Sequence, residues 1–259
     1  MDELPEGLRR LWSPEGSARQ GQPRPGLTLS RIVEAAVGMA DEQGLGSVSM
    51  SRLARSLGYT TMSLYRYVST KDELLLLMHD SAWRVPTVLD DFPEQWRPAL
   101  VLWCREQRTI LHRHPWLERI RITERVGTPS QLTWMDRGLR ALGGVPLTEY
   151  EKGQVLLLLN GFLFWQARLA ADLQESLREE ERPPEEAIMG VADMIKTLVT
   201  ADRFPALLRA VEGGLFALPQ DWQDPQAGAD ADFLFGLDRI LDGVQDLIDR
   251  RLAPAALPD

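Results

Sequence analysis

Residues 53–74 read LARSLGYTTMSLYRYVSTKDEL, and Gly58 within them is the feature that most narrows the fold. Ahead of it, Met50, Leu53, Ala54 and Leu57 share one side of a helix that Ser49 is suited to cap. Behind it, a very short helix runs from about Thr60 to Tyr67. Glycine adopts the left-handed conformation without a Cβ penalty, so the two short helices meet at a sharp turn. Upstream, Leu29, Ile32, Val33, Ala36, Val37 and Ala40 form one face of another helix, with Thr28 or Ser30 as cap and Gly44 or Gly46 as stop. Downstream, a capping box of Ser69 with Asp72, or Thr70 with Glu73, opens a helix holding Leu74 to Met78.

Helix, glycine turn and short helix make a helix-turn-helix, whose second helix can enter a major groove. Leu53, Ala54, Leu57, Leu64 and Val68 supply the anchoring side. Thr60, Thr61, Ser63, Arg66 and Tyr67 are left outward. Hydroxyls and N–H groups at a helix start suit phosphate oxygens, and arginine suits phosphate or guanine edges. Spacing alone is equally compatible with a surface helical hairpin inside a bundle.

No strand alternation follows. Helical periodicity continues over about 94–113, 115–125, 129–143, 147–181, 185–212 and 230–252, with a break expected at Phe204-Pro205. The fold class is therefore all-α, with a three-helix head and a larger helical bundle. The expected organisation is a flexible arm over 1–27, a helix-turn-helix domain over 28–72, and a larger helical domain over 73–259.

The chain carries a formal net charge of −9, which argues against nucleic acid unless charge is unevenly spread. Up to residue 70 there are eight basic and seven acidic residues, so the remainder carries −10. A near-neutral head on an acidic body permits DNA contact by the head. The single Cys104 excludes an intramolecular disulfide and suits a reducing compartment. The first residues lack an apolar stretch like a signal peptide. The greasiest run, Val155 to Trp165, is interrupted by Asn160 and falls short of the roughly 20 residues a membrane span needs. A cytoplasmic protein is expected.

The pattern Leu57-Gly58, Leu64-Tyr65-Arg66-Tyr67-Val68 and Lys71-Asp72-Glu73-Leu74 closely resembles the DNA-binding domain of TetR-type transcriptional regulators. The resemblance covers about 28–78. The end of the chain, DFLFGLDRILDGVQDLIDRRL, also resembles the last helix of actinobacterial members with a tetracycline-repressor-like ligand domain. Carried over by position, the resemblance implies base-edge contacts from Thr61 and Met62, with Ser63 and Arg66 as further candidates. It implies phosphate contacts from Ser49, Thr60, Tyr65, Tyr67 and Lys71. Met62 departs from the small residue often found at its position; it can touch a thymine methyl or simply pack. Lys71 sits at a helix N-terminus, where a cation is disfavoured unless a phosphate lies near. Its alternative is solvation beside Asp72 and Glu73. Arg24, between two prolines, can reach a minor groove as basic arms do, or belong to a tail that touches nothing.

One short helix reads too few base pairs to find a genomic site, so a two-fold dimer on a palindromic operator is expected. Its surface is assigned to helices near 147–181 and 230–252, with Leu234, Leu237, Leu241, Val244, Leu247 and Ile248 as a stripe; the alternative is internal core. The tryptophan-rich body offers Trp103, Gln107, His112, Trp134, Asn160 and Trp165 as candidate pocket residues for a small-molecule effector. At helical spacing they suit plain core equally. His112 and His114 splay apart on a helix, so no metal and no cofactor are expected. The acidic stretch 178–186 reads as a solvated connection. The resulting expectation is a ligand-released, dimeric repressor without enzymatic activity. An all-α small-molecule carrier is the alternative, and an activator shares every residue named.

Overall fold

A computed structural model describes residues 6–13, 26–120, 127–180, 184–216 and 225–253, with side chains placed for 7–13, 26–120, 127–172, 190–216 and 229–253. The described residues form α-helices joined by turns and short 3-10 segments, and none is in a strand. The helices are α1 Glu6–Leu11, α2 Leu29–Gln43, α3 Met50–Leu57, α4 Thr61–Tyr65, α5 Lys71–Ala82 and α6 Trp96–Arg113. They continue with α7 Pro129–Ala141, α8 Glu149–Glu180, α9 Pro184–Leu198, α10 Pro205–Glu212 and α11 Pro225–Leu252. Two compact units divide the chain: residues 1–167 with 241–259, and residues 168–240.

In the larger unit the head packs on buried Ile32, Val33, Ala36, Leu53, Ala54, Leu64 and Val68. Its helix ends are set locally. Thr28, Ser49, Thr60 and Thr70 accept from the N–H groups of Arg31, Arg52, Ser63 and Glu73, each satisfying a donor the helix leaves open. At the other end of α3, Gly58 stands at φ 77° and ψ 26°, and its N–H meets the carbonyls of Ala54 and Arg55. The box before α5 is staggered: Thr70 caps Glu73, while Glu73 Oε2 accepts from the Ser69 N–H at 2.6 Å.

Helix α5 packs against α2 on one side and α7 on another, so the expected boundary at 72/73 falls inside a shared element. Helices α6 and α7 pair over Trp103 and Trp134. A Cβ at Gly138 would lie 2.8 Å from Leu156 Cδ2 and 3.1 Å from Trp103 Cε2, so this glycine lets the backbone of α7 approach both. In α8, Val155, Leu156, Leu159 and Leu163 are buried. By length and composition alone, residues Glu149–Asp172 of this helix could cross a membrane, with mean hydropathy 1.2. A Thr148–Glu151 capping box opens the helix. Arg251 also binds Glu151, and together with the Thr148 donors it holds that carboxyl down at about 2. The smaller unit contains α9 and α10, packed on each other.

Several expectations change. Residues 6–11 of the presumed arm are helical. A six-residue helix is too short to show periodicity, and its order comes from docking on α5. The recognition helix is shorter than expected, with Arg66 and Tyr67 in a turn after it. The segment expected as helix 115–125 opens as a 3-10 turn, Pro115–Arg119, and 121–126 lie outside the described residues. The stretch 185–212 is two helices with a break over 199–204, wider than Pro205 alone predicts. The last helix starts at Pro225, ahead of the expected 230.

Candidate nucleic-acid interface and effector core

The most outward side chains of α4 are Met62 and Tyr65, which the spacing alone did not place on the outward side. Met62 is 74% exposed and Tyr65 45%, while Leu64 is fully buried beneath them. Thr60 and Arg66 are exposed; Thr61, Ser63 and Tyr67 are half-buried. The hydroxyls of Thr60 and Ser63 lie 2.9 Å apart, which fixes the first turn of the helix. Ser49, half-buried, spends its oxygen on the cap of α3. Lys71 is exposed at the first position of α5. Arg55, Arg66 and Lys71 form no ion pair with any described residue, so their charge is available to an external anion. Arg24 lies outside the described residues.

The effector candidates divide. Trp103, Gln107 and Trp134 are each 1% exposed; Trp103 and Trp134 cluster with Trp83, and Gln107 is buried one turn after Trp103 on α6. Trp103 Nε1 donates to the Trp134 carbonyl at 2.9 Å, and Trp134 Nε1 donates to the Trp83 carbonyl at 2.8 Å. Phe164 and His79 complete the ring around Trp83, with centroids 6.0 and 6.2 Å away. Two buried donors, Trp83 Nε1 and Gln107 Nε2, have no acceptor among the described residues. Asn160 is half-buried. His112 and Trp165 point elsewhere: His112 is exposed in the last turn of α6, and Trp165 is 66% exposed on α8. Of the six candidates offered by residue type, packing brings Trp103 and Trp134 into direct contact. An open groove also lies on α6, lined by Arg97, Pro98, Val101, Leu102 and Arg105, none of them predicted.

A third constellation joins head to body. Asp41 near the end of α2 accepts from Trp116 Nε1 at 2.7 Å, and His114 Nδ1 lies 2.8 Å from the same oxygen. Both partners immediately follow α6. No local pattern announces this contact, because it links residues more than seventy positions apart. Among the described residues no group of three or more His, Cys, Asp or Glu side chains is placed to hold a metal ion. Burial pushes the Cys104 thiol strongly up, which leaves it inert.

The dimer stripe predicted on α11 is largely core: Leu237, Leu241, Val244 and Ile248 are buried within the chain, Leu247 is half-buried, and Leu234 is 37% exposed. Period 3.6 identifies a shared face without saying what covers it. On α8, Leu157, Gly161 and Trp165 follow one another at four-residue steps and are all exposed. The side chains of 173–189 and Trp222, which include the acidic stretch, lie outside the described residues.

Comparison with known proteins agrees with this arrangement. Residues 32–78 match the profile described as bacterial regulatory proteins, tetR family, and residues 90–248 match the tetracyclin repressor-like C-terminal domain. The chain belongs to the TetR family. It is 34% identical, over 98% of its length and 90% of the other, to the HTH-type transcriptional repressor DrrR1 of Streptomyces coeruleorubidus. A solved structure of ActR, a TetR family protein of Streptomyces coelicolor, in complex with actinorhodin superposes with a TM-score of 0.66 at 30% identity. That likeness covers 86% of this chain and 97% of the other. ActR in complex with (S)-DNPA gives 0.64 at 27% identity, over 86% and 99%. As a TetR protein the chain is a ligand-responsive transcriptional repressor with a helix-turn-helix head and a helical ligand-binding body.

Proposed function

We propose that two copies of this chain read a palindromic operator, each placing α4 in a major groove, and that a small molecule in the body releases them. The observation that carries the reading is the outward face of Thr60, Thr61, Met62 and Ser63, flanked by Arg55, Arg66 and Lys71 without carboxylate partners. Hydroxyl and apolar groups at the helix start suit base edges, and the surrounding cations suit phosphates. Tyr65 and Tyr67 add hydroxyl donors. The working division is the one expected from sequence: a DNA-reading head over 28–72 and a ligand-binding, dimerising body over 73–259, in a regulatory protein of the cytoplasm.

The second copy is assigned to the exposed side of α8. Leu157, Gly161 and Trp165 would be solvated in a monomer, while the opposite side of the helix is already buried. A helix apolar on both sides calls for a second cover. Gly161 leaves room for close approach, since no described residue stands within 4 Å of its would-be Cβ.

The effector is assigned to the cluster of Trp83, Trp103, Gln107, Trp134 and Phe164. Buried donors in native proteins nearly always find acceptors, so Trp83 Nε1 and Gln107 Nε2 suit a ligand bearing oxygen acceptors on a flat aromatic frame. The structure of ActR, a TetR family protein, in complex with actinorhodin supports a small-molecule ligand. The route to DNA is short. Gln107 lies nearly two turns before the end of α6, and His114 and Trp116 just beyond it grip Asp41 of the head. A ligand that shifts α6 therefore re-aims α2 and the reading unit that packs on it. A coupling of about 1–3 kcal/mol is typical for such linkage.

Fluorescence anisotropy with a duplex selected by the protein from a random pool tests the head. Affinity should fall steeply with salt as phosphates exchange counterions for protein cations. If Thr61→Ala, Tyr67→Phe and Lys71→Ala all bind as wild type, the assignment of the reading face fails.

A further inference from the structure

The segment before the head does work that neither the DNA-reading face nor the effector core accounts for. Helix α1 lies outside both family-matched stretches, 32–78 and 90–248, yet it grips the recognition unit. Arg10 Nη1 donates to the backbone carbonyl of Tyr67, in the turn that follows α4. The same nitrogen stands 2.8 Å from Glu73 Oε1, a carboxylate whose side chain is only 5% exposed. Glu73 in turn accepts from the Ser69 N–H. The loop 66–70 is thereby held from two sides, by Arg10 at Tyr67 and by Glu73 at Ser69. That loop sits between α4 and Lys71, so its geometry sets where Tyr67 and Lys71 stand relative to the recognition helix.

Two further contacts fix α1 in place. A Cβ on Gly7 would fall 2.9 Å from Leu76 Cδ2, so the glycine lets α1 lie directly on α5. At the other end, Trp12 Nε1 donates to the carbonyl of Gly127 at 2.8 Å, immediately before the Thr128 cap of α7. One short helix thus touches the recognition loop, the first helix after it, and the entrance of a body helix.

We propose that α1 is a strap that pre-sets the DNA-reading unit, with Arg10 as a positioning residue that holds the recognition loop through the Tyr67 carbonyl. Arg10 does not itself meet DNA. Its guanidinium is occupied by Tyr67 and Glu73, unlike those of Arg55 and Arg66. A loop already in its bound geometry gives up less freedom when phosphates arrive, which appears as tighter binding.

The proposal rests on the DNA-binding reading, and the test separates the two. Wild-type full chain first selects a duplex from a random pool; failure at that stage overturns the reading above rather than the strap. Arg10→Met is then titrated against that duplex at several salt concentrations, with melting followed by circular dichroism. Affinity should drop on the order of tenfold to a hundredfold, the scale of one missing charge-assisted hydrogen bond. The slope of log affinity against log salt should stay that of wild type, and Arg10→Lys should recover much of the affinity. Removing Arg10 strands buried Glu73, so the double variant Arg10→Met/Glu73→Gln relieves the unpaired charge. It should restore the melting temperature without restoring DNA affinity. Three results would overturn the strap. One is unchanged affinity in Arg10→Met. Another is a salt slope shallower by about two, the mark of a cation that neutralises one phosphate directly in each of two copies. The third is affinity in the double variant returning together with stability, which would reduce Arg10 to a neutraliser of Glu73.

Discussion

Asp41 and Trp116 stand 2.7 Å apart, carboxylate oxygen to indole nitrogen, across the junction of the reading head with the helix that carries Trp103 and Gln107. The same oxygen faces His114, so one acid on α2 gathers both groups that follow α6. Trp116 is buried, and Trp116→Phe removes the donor while keeping most of the ring. The destabilisation should be about 1 kcal/mol, lowering the melting temperature by about 2–4 °C for a chain of this size. Local amide exchange should rise together in 36–43 and 113–120. A variant that melts and exchanges as wild type would show that this bond does not hold the junction.

Lys71 and Met62 should fail in different ways. Lys71→Ala removes a cation with no internal partner, so binding should weaken by a similar factor on every duplex tested. In each copy its salt slope should flatten by about 0.9 for the one phosphate that is no longer neutralised. Met62, 74% exposed on α4, has little to contribute to the fold. Met62→Ala should leave the melting temperature and salt slope unchanged and relax the preference at one base pair per half-site, by about 1–3 kcal/mol. Re-selection from a random pool reads this directly. An unchanged consensus would assign Met62 to packing or to solvent.

Gln107 offers a case where removing a polar group should stabilise the protein. Its Nε2 is buried, one turn along α6 from Trp103, without an acceptor among the described residues. An unsatisfied buried donor costs about 1–3 kcal/mol, and leucine at 107 fits a similar volume without it. Gln107→Leu is expected to raise the melting temperature of the ligand-free protein, in contrast to ordinary core substitutions. A lower melting temperature would mean that the amide is satisfied, and the effector assignment would be without its clearest donor.

What the sequence disclosed follows from the range of the interactions. Caps are local, so Ser49, Thr60 and Thr70 could be placed within a residue, and Gly58 announced the turn before α4. The buried side of the turn followed because apolar Leu64 and Val68 had to face inward, while the half-burial of Thr61, Ser63 and Tyr67 did not. Sequence could not show α1, whose order comes from Leu76, Glu73 and Gly127, far along the chain. Nor could it separate Trp103 from Trp165: both are tryptophans on apolar helices, and only the neighbours decide that one is core and the other is exposed. The stripe on α11 failed for the same reason, since Leu241 and Val244 needed a cover and their own chain supplied it.

Asp80 sets a pH signature on the same packing. In the last turn of α5, its Oδ1 accepts from the Ser130 N–H at 2.8 Å, and the Ser130 hydroxyl donates to the Asp80 carbonyl. These bonds tie α5 to the start of α7. Burial raises the Asp80 carboxyl above its ordinary 3.8, and outweighs the opposing hydrogen bonds from Ser130 and Thr128 and the charge of Arg84. A carboxyl raised in the folded state is favoured in its protonated form. Its contribution to stability is full below the unfolded value and fades as pH climbs through the folded one. Asp80→Asn keeps an acceptor for Ser130 but cannot ionise. The melting temperature of the variant relative to wild type should therefore increase as pH climbs from the ordinary 3.8 through the raised folded value, then level off. Differential scanning fluorimetry across that range measures it. A difference that stays constant would show that ionised Asp80 is fully compensated by Ser130, Thr128 and Arg84. A difference that moves the other way would show that the charge itself holds α7 in place.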